Sequence, residues 1–171
     1  MRLTTVKLKE MTVEEYNQSV ETYSDGIYRF IVKNLRDGEY THDIVQDTFE
    51  KLWINLANVN GDKVKSYLFT TAYHTMIDYL RRRKRIDHHE DVPDFKSADT
   101  GHYSDLQEIL HHAIGKLPDV QRSVVLLRDY EGYSYEEIGE ITGLTESQVK
   151  VYIYRARVFL KSYIGSMETV I

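Results

Sequence analysis

Apolar residues recur every three or four positions along most of the chain, which is the period of an amphipathic helix. The first run covers about residues 13–36, and the Asp25-Gly26 pair leaves open whether it forms one helix or two. Two more runs follow at about 42–57 and 63–85, and the polar stretch 58–62 between them predicts a loop. The side chains expected to point inward from the first run are Val13, Tyr16, Val20, Ile27, Ile31 and Leu35.

The period is lost after about residue 86, where the stretch IDHHEDVPDFKSADTGHYS is polar, acidic and interrupted by a proline and a glycine. A composition of this kind is typical of a flexible linker. Helical periodicity returns at about 105–116, with Leu106 on its apolar side, and at about 119–130. The pattern therefore predicts an all-α protein with two small helical domains joined by a flexible acidic linker. The predicted bounds are 1–86, 87–104 and 105–171.

Four positions carry the capping box, in which a Ser or Thr and a Glu or Gln three residues later satisfy each other's backbone amides at a helix start. Each of the four precedes an apolar-periodic run, and together they support the all-helical prediction. The pairs are Thr12 with Glu15, Ser104 with Gln107, Ser134 with Glu137, and Thr145 with Gln148.

Two of these starts lie close together and predict a helix-turn-helix. Ser134 would cap a short helix that Gly143 ends in the left-handed conformation, and Thr145 would cap the next helix. An ordinary helical hairpin would also use such a glycine. The cations concentrate on the second helix, and this distribution favours a DNA-binding motif. The core face of that helix would be Val149, Ile153, Ala156 and Leu160. The DNA-facing residues would be Ser147, Gln148, Lys150, Val151, Tyr154, Arg155 and Arg157.

The net charge of −5 hides an uneven distribution of charge. Residues 1–85 carry 14 Lys/Arg against 12 Asp/Glu, residues 86–105 carry one Lys against six acids, and residues 106–171 carry seven against nine. The positive part ends in an unbroken block of cations, Arg81–Arg85. A block of this kind suits either the negative end of a helix dipole or the phosphates of DNA, and five cations in succession favour DNA.

Nothing in the residue pattern indicates catalysis. The chain has no cysteine, and no carboxylate pair, glycine-rich loop or histidine motif has the spacing of a catalytic or metal site. Neighbouring histidines such as His111 and His112 would point about 100° apart on a helix, so they could not share an ion. No apolar run resembles a signal peptide or a membrane span. We therefore expect a soluble, cytoplasmic protein without membrane contacts, which is not an enzyme and needs no cofactor or metal.

Two sets of motifs, one on each side of the linker, resemble the bacterial sigma factors. The stretch DIVQDTFEKLW at 43–53 is similar to the D-x-x-Q-[DE]-x-F-x-x-[LV]-W signature of the sigma helix that docks on RNA polymerase, and YLF at 67–69 with IDYLRR at 77–82 is similar to the promoter-melting helix after it. The residues similar to the C-terminal sigma helix-turn-helix are Leu117-Pro118, Gln121-Arg122, Glu137-Ile138-Gly139, Val149-Lys150 and Arg155-Ala156-Arg157. The resemblance covers about 12–164. Because a middle domain is missing, the chain is identified as a member of the compact extracytoplasmic-function (ECF) group of the sigma-70 superfamily.

The resemblance implies a factor that binds the clamp and flap of core RNA polymerase, recognises the minus-35 and minus-10 promoter elements, melts DNA and starts transcription of a specific regulon. It implies that residues 1–86 are sigma region 2 and residues 105–171 are region 4, and that an anti-sigma factor is a possible further partner. The polymerase-docking residues would be Asp43, Gln46, Asp47, Phe49, Glu50 and Trp53. The minus-10 contacts would be Asn58, Asn60, Lys63, Lys65, Tyr67, Tyr73, His74, Arg81, Arg82, Arg83 and Arg85.

Several of these roles have structural alternatives. Phe49 and Trp53 suit a hydrophobic core at least as well as a docking surface, and a loop asparagine often forms a turn. Where Tyr73 and His74 stand, the family more often has a basic residue and an asparagine, so the strand contact at these two positions is either lost or changed to base stacking. In the family the linker passes through polymerase channels otherwise occupied by nucleic acid, and its acids would imitate that polyanion.

Two other functions fit parts of the pattern. A stand-alone helix-turn-helix regulator with an N-terminal sensor or dimerisation domain would explain residues 105–171, but it has no use for the acidic helix at 43–53. A helical adaptor that binds only protein would explain the helices, but not the cations at the end of the first domain. The sigma-factor hypothesis accounts for both sets of motifs.

Overall fold

The computed structural model describes residues 10–87 and 105–168, which form an all-helical structure. Apart from Asp87, the predicted linker lies outside the described residues, as does Ser104 of one predicted capping box. Two short 3-10 turns, Leu56–Asn58 and Gly61–Lys63, overlap the two ends of the predicted loop 58–62, and the helix before it ends at Ile54 rather than about 57. The helices are α1 (Val13–Leu35), α2 (Gly38–Ile54), α3 (Val64–Asp87), α4 (Asp105–Lys116), α5 (Asp119–Val125), α6 (Tyr135–Thr142) and α7 (Glu146–Glu168).

The three capping boxes within the described residues are present. The Thr12 hydroxyl accepts a hydrogen bond from the Glu15 amide at 3.1 Å, and the Glu15 carboxylate accepts one from the Thr12 amide at 3.3 Å. The same reciprocal bonds join Ser134 to Glu137 and Thr145 to Gln148. Local sequence therefore determines where α1, α6 and α7 begin.

Several element bounds and inward-facing positions differ from the prediction. α1 is one helix through Asp25-Gly26, and α2 begins at Gly38 rather than about 42 because the Asp37 side chain caps it. α5 ends at Val125 and continues as a π-helical turn, Leu126–Tyr130. The expected burial of Val13 and Leu106 is wrong: they are 54% and 57% exposed, because they lie in the first turn of their helices and miss the packing partners of later turns.

α1, α2 and α3 pack against one another, and α7 packs against α4, α5 and α6. The two groups are not separate, because α6 also lies against α3 and α1 contacts α4 and α5. A single cluster of buried side chains includes Phe30 and Phe69 from the first group together with Tyr133 and Ile138 from the second. The described residues therefore form two helical groups that share part of one hydrophobic core.

Candidate nucleic-acid and protein interfaces

α7 has one buried face and one exposed face, as its periodicity predicts. Val149, Ile153 and Ala156 are at most 1% exposed and point into the second helical group. All seven residues predicted to face the minus-35 element are exposed. Ser147, Val151 and Arg155 line a shallow cavity of about 220 Å³ on that face. The exposed face is therefore continuous and combines apolar, polar and cationic groups, which is what base edges and phosphates require.

Three of the exposed residues already have partners within the chain. The Gln148 carbonyl oxygen accepts from the Thr145 amide at 3.0 Å, and Lys150 pairs with Glu146 at 3.1 Å. Arg157 forms an ion pair with Asp129 at 2.6 Å, and this hydrogen bond raises the pKa of Arg157. Because both partners are about half exposed, such pairs contribute at most about 1 kcal/mol, and a phosphate could replace the carboxylate.

The turn between α6 and α7 depends on two glycines. Gly143 has a φ of +77°, the left-handed conformation that glycine adopts without steric cost. At Gly139 a Cβ would lie 2.8 Å from the Leu144 backbone carbonyl oxygen, closer than real Cβ atoms approach. The absence of a side chain at 139 is what allows α6 to approach the turn and fixes the angle at which α7 leaves it.

In the predicted minus-10 loop, Asn58 is exposed and Asn60 is half-buried. The Asn60 side chain accepts a hydrogen bond from the Asp62 amide at 3.1 Å, so it caps the second 3-10 turn. The loop faces α1 across a cavity of about 310 Å³. Residues of α1 that line this cavity were missing from the sequence prediction: Glu15, Gln18, Ser19, Thr22 and Tyr23. Their only sequence signal is the helical spacing that places 15, 18, 19 and 22 on one face, and nothing in the sequence connects that face to a loop about 40 residues later.

The predicted minus-10 residues of α3 divide into exposed side chains and side chains that are partly or fully buried. His74, Arg81, Arg82 and Arg85 of α3 are exposed, as is Lys63 in the 3-10 turn just before it, and Arg83 is half-buried. Tyr67 is half-buried and its hydroxyl accepts a hydrogen bond from the Asn55 side chain at 3.2 Å. Tyr73 is only 6% exposed, and burial raises the pKa of its hydroxyl. Lys65 is exposed, but its ammonium lies 4.5 Å from the centre of the Tyr133 ring, which belongs to the second helical group.

The predicted docking helix, α2, separates its apolar and acidic residues. Phe49 is 7% exposed and lies in the core, where its carbonyl accepts a hydrogen bond from the Tyr16 hydroxyl at 3.3 Å. Trp53 is 49% exposed and meets Tyr16 edge-on with ring centres 5.0 Å apart. Asp43, Gln46, Asp47 and Glu50 are exposed at the i, i+3, i+4 and i+7 positions of one face. α2 thus offers an acidic stripe that ends at an exposed tryptophan.

Within residues 10–87 and 105–168, no group of three or more His, Asp or Glu side chains is arranged to hold a metal ion. None of the helices in these ranges is both long and apolar enough to cross a membrane.

Comparison with known proteins places both helical groups in one family. Residues 19–86 match the Sigma-70 region 2 family and residues 107–160 match the Sigma-70, region 4 family. The RNA polymerase sigma factor YlaC of Bacillus subtilis (strain 168) is 32% identical over 148 residues, which cover 81% of this chain and 86% of YlaC. The ECF RNA polymerase sigma factor SigM of the same strain is 29% identical over 157 residues, covering 89% and 94% of the two chains. The chain belongs to the ECF sigma factors of the sigma-70 family.

The family confirms the predicted all-α fold and the predicted function, because a sigma factor is a non-enzymatic, DNA-binding protein that initiates transcription with RNA polymerase. Among solved structures, this sigma factor is similar to RpoE of Bartonella quintana in complex with the anti-sigma factor NepR. That likeness has a TM-score of 0.78 and 25% identity, and it covers 90% of this sigma factor and 98% of the Bartonella chain. Since neither helical group alone makes up 90% of the chain, the superposition includes both.

Proposed function

We propose that this sigma factor reads the minus-35 element with the exposed face of α7, and the minus-10 element with the loop 58–62 and α3. The observation that carries the proposal is the division of α7 into a fully buried face and a face on which all seven predicted DNA contacts are exposed. The acidic stripe of α2 and the exposed Trp53 would dock on the polymerase clamp. Region 2 would comprise 1–86, the acidic linker 87–104 and region 4 105–171.

The cavity between α1 and the loop 58–62 supports a more specific role in the minus-10 contact. It is partly open to solvent and lined mainly by polar groups, and a base that leaves the stack must exchange its pairing partners for such groups. The α1 residues Gln18 and Thr22 would then contribute to base selection together with Asn60.

The sigma factor would act in the cytoplasm, where RNA polymerase and promoters are, and an anti-sigma factor is a further proposed partner. The complex of the similar Bartonella sigma factor with NepR supports the second proposal. The acids of the linker would contact basic polymerase channels, as the family resemblance implies.

Run-off transcription with the sigma factor's own core polymerase, followed by start-site mapping, tests the proposal. The wild-type chain should direct initiation from a defined set of start sites, and core polymerase alone should not. Loss of Arg155 from the α7 face (Arg155→Ala) should reduce those transcripts by about 5- to 150-fold, the range of one base contact. Lys116→Ala, which removes an exposed cation from α4, is the matched control and should have little effect. Equal transcription by both variants would contradict the assignment of α7.

A further inference from the structure

The three cations of α7 that are predicted to contact DNA differ in how they are held. Within residues 10–87 and 105–168, Arg155 has no hydrogen-bond or ion-pair partner. Lys150 pairs with Glu146 of its own helix at 3.1 Å, and both side chains are 55% exposed. Arg157 pairs instead with Asp129, which lies 28 residues earlier, before α6. Among these three cations, Arg157 is therefore the one whose ion pair joins α7 to another element.

Two hydrogen bonds fix the Arg157 guanidinium against Asp129. Its Nη2 donates to Oδ1 at 2.6 Å, and its Nε donates to Oδ2 at 3.3 Å. A bidentate contact of this kind fixes the plane of the guanidinium as well as its distance from the carboxylate. A guanidinium has more N–H donors than one carboxylate accepts, so the remaining donors stay free for DNA. Asp129 therefore orients Arg157 without occupying all of it.

Asp129 stands on a backbone segment that is anchored on both sides. It belongs to the π-helical turn Leu126–Tyr130, a widened helical turn of a kind that is frequent at functional sites. The first two residues of this turn are at most 1% exposed, so they anchor it in the core. Beside Asp129, the Arg128 guanidinium donates to the Tyr133 carbonyl at 2.8 Å. The carboxylate is therefore presented to α7 from a defined position.

Tyr135 supports the same arrangement from the first helix of the helix-turn-helix. The centre of its ring lies 4.5 Å from the guanidinium carbon of Arg128 and 5.6 Å from the Lys150 ammonium. The hydrogen bond with Asp129 has the largest effect on the pKa of Arg157, which it raises, and the Tyr135 side chain raises that pKa further. Arg157 is thus held both by the turn before α6 and by α6 itself.

A fixed arginine and a free arginine contribute differently to DNA binding. Contacts between cations and phosphates supply most of the affinity for DNA of any sequence, and they carry no sequence information. A free arginine can reach phosphates at several positions, whereas Arg157 offers its remaining donors in one place. A phosphate elsewhere must first replace the Asp129 carboxylate. The released carboxylate would then lie close to the DNA backbone, and like charges at that distance repel each other.

We infer that Asp129 is a positioning residue for minus-35 recognition. It holds Arg157 in one orientation, so that Arg157 contributes to binding when α7 lies in the promoter register and contributes less on other sequences. The inference rests on the proposed contact between α7 and the minus-35 element. Specificity is a difference between affinities, and Asp129 increases this difference by weakening the binding of sequences that lack the element.

Competitive titration of the holoenzyme with two promoter fragments measures this effect. One fragment carries a mapped promoter, and the other carries the same promoter with the bases of its minus-35 element scrambled. The ratio of the two affinities isolates the minus-35 contribution, because the contacts of core polymerase are common to both. Asp129→Asn removes the charge, and Asp129→Glu keeps it. Glu108→Gln neutralises an exposed acid on α4, which has no assigned DNA contact, and is the control matched in charge.

Asp129→Asn should lower the ratio of affinities by about two- to fivefold, the range of one exposed ion pair. On the scrambled promoter, the slope of log K against log salt should steepen by about 0.9, because the freed Arg157 neutralises one more phosphate. Asp129→Glu should restore the ratio and the slope, and Glu108→Gln should change neither. A loss of stability alone would change both affinities by the same factor, so the ratio does not respond to it.

The same substitution in an Arg157→Ala background separates positioning from simple repulsion between Asp129 and DNA. If Asp129 acts through Arg157, Asp129→Asn has no further effect on the ratio once Arg157 is absent. An unchanged ratio in the single variant, or an equal change with and without Arg157, would overturn the inference. A wild-type holoenzyme that binds both fragments equally would instead refute the proposed minus-35 contact, on which the inference depends.

Discussion

At the scale of single residues, Gly139 is the position at which the helix-turn-helix has least room. A Cβ added to Gly139 would lie 2.8 Å from the backbone carbonyl oxygen of Leu144. A backbone carbonyl cannot rotate away as a flexible side chain can, so any side chain at 139 must displace the turn. Because that turn sets the direction of α7, stability and the proposed minus-35 recognition would depend on the same glycine.

Alanine substitutions at two helical glycines should therefore have opposite effects. Gly139→Ala should destabilise the protein by about 1–3 kcal/mol because it overpacks the turn. Gly165→Ala, where a Cβ would meet nothing within 4 Å, should stabilise it by about 0.4–1 kcal/mol because alanine restricts the unfolded chain. Thermal unfolding of the full-length variants measures both, and each kcal/mol corresponds to about 2–4 °C in Tm. A higher Tm for Gly139→Ala would show that the turn adapts without cost.

At the scale of elements, the end of α3 combines cations with different partners. Arg82 and Arg85 are exposed, whereas Lys84 is held by Asp119. Burial alone would raise the pKa of Asp119, but hydrogen bonds and charge from Lys84 and Arg122 outweigh it and lower that pKa below its usual value. A depressed carboxylate pKa contributes stability at all higher pH values and loses it only as the pH falls through the folded-state pKa. The ion pair therefore persists at neutral pH, and Arg82 and Arg85 remain accessible to phosphates.

Removing accessible cations from α3 should change how promoter binding depends on salt. In the holoenzyme, Arg82→Ala with Arg85→Ala should weaken binding and lower the slope of log K against log salt by about 0.9 for each phosphate that these arginines neutralise. Removal of the α4 cation in Lys116→Ala should leave the slope unchanged, since α4 has no assigned DNA contact. Fluorescence titrations at several salt concentrations give the slope. An unchanged slope in the double variant would mean that these arginines only complement the end of the helix dipole.

The elements also show how far the sequence can predict this structure. Capping boxes and periodicity are local, so they correctly predicted the starts of α1, α6 and α7 and the buried face of α7. The burial of Tyr73 and the cavity between α1 and the loop 58–62 were not predicted, because each is created by segments distant in sequence. Periodicity also predicted, wrongly, that Val13 and Leu106 are buried. It identifies the apolar face of a helix, but it does not show how far along that face the neighbouring helices extend.

At the scale of the whole molecule, the two helical groups share part of one hydrophobic core. Their packing places part of the predicted DNA surface of α3 at or beside the contact between the groups, because Tyr73 is 6% exposed and Lys65 and Lys84 lie against Tyr133 and Asp119. The proposed function joins the two groups in one task, because α2 would dock on polymerase while α7 and the loop 58–62 contact DNA.

A footprint of one mapped promoter, with the chain alone, core polymerase alone and both together, tests this account most directly. Hydroxyl-radical cleavage detects protection and permanganate detects unpaired thymines in the same samples. The account predicts protection at minus-35 and minus-10 together, with unpaired thymines near minus-10, only when both proteins are present. Strong protection of a single symmetric site by the chain alone, unchanged by core polymerase, would contradict it and would indicate a stand-alone helix-turn-helix regulator.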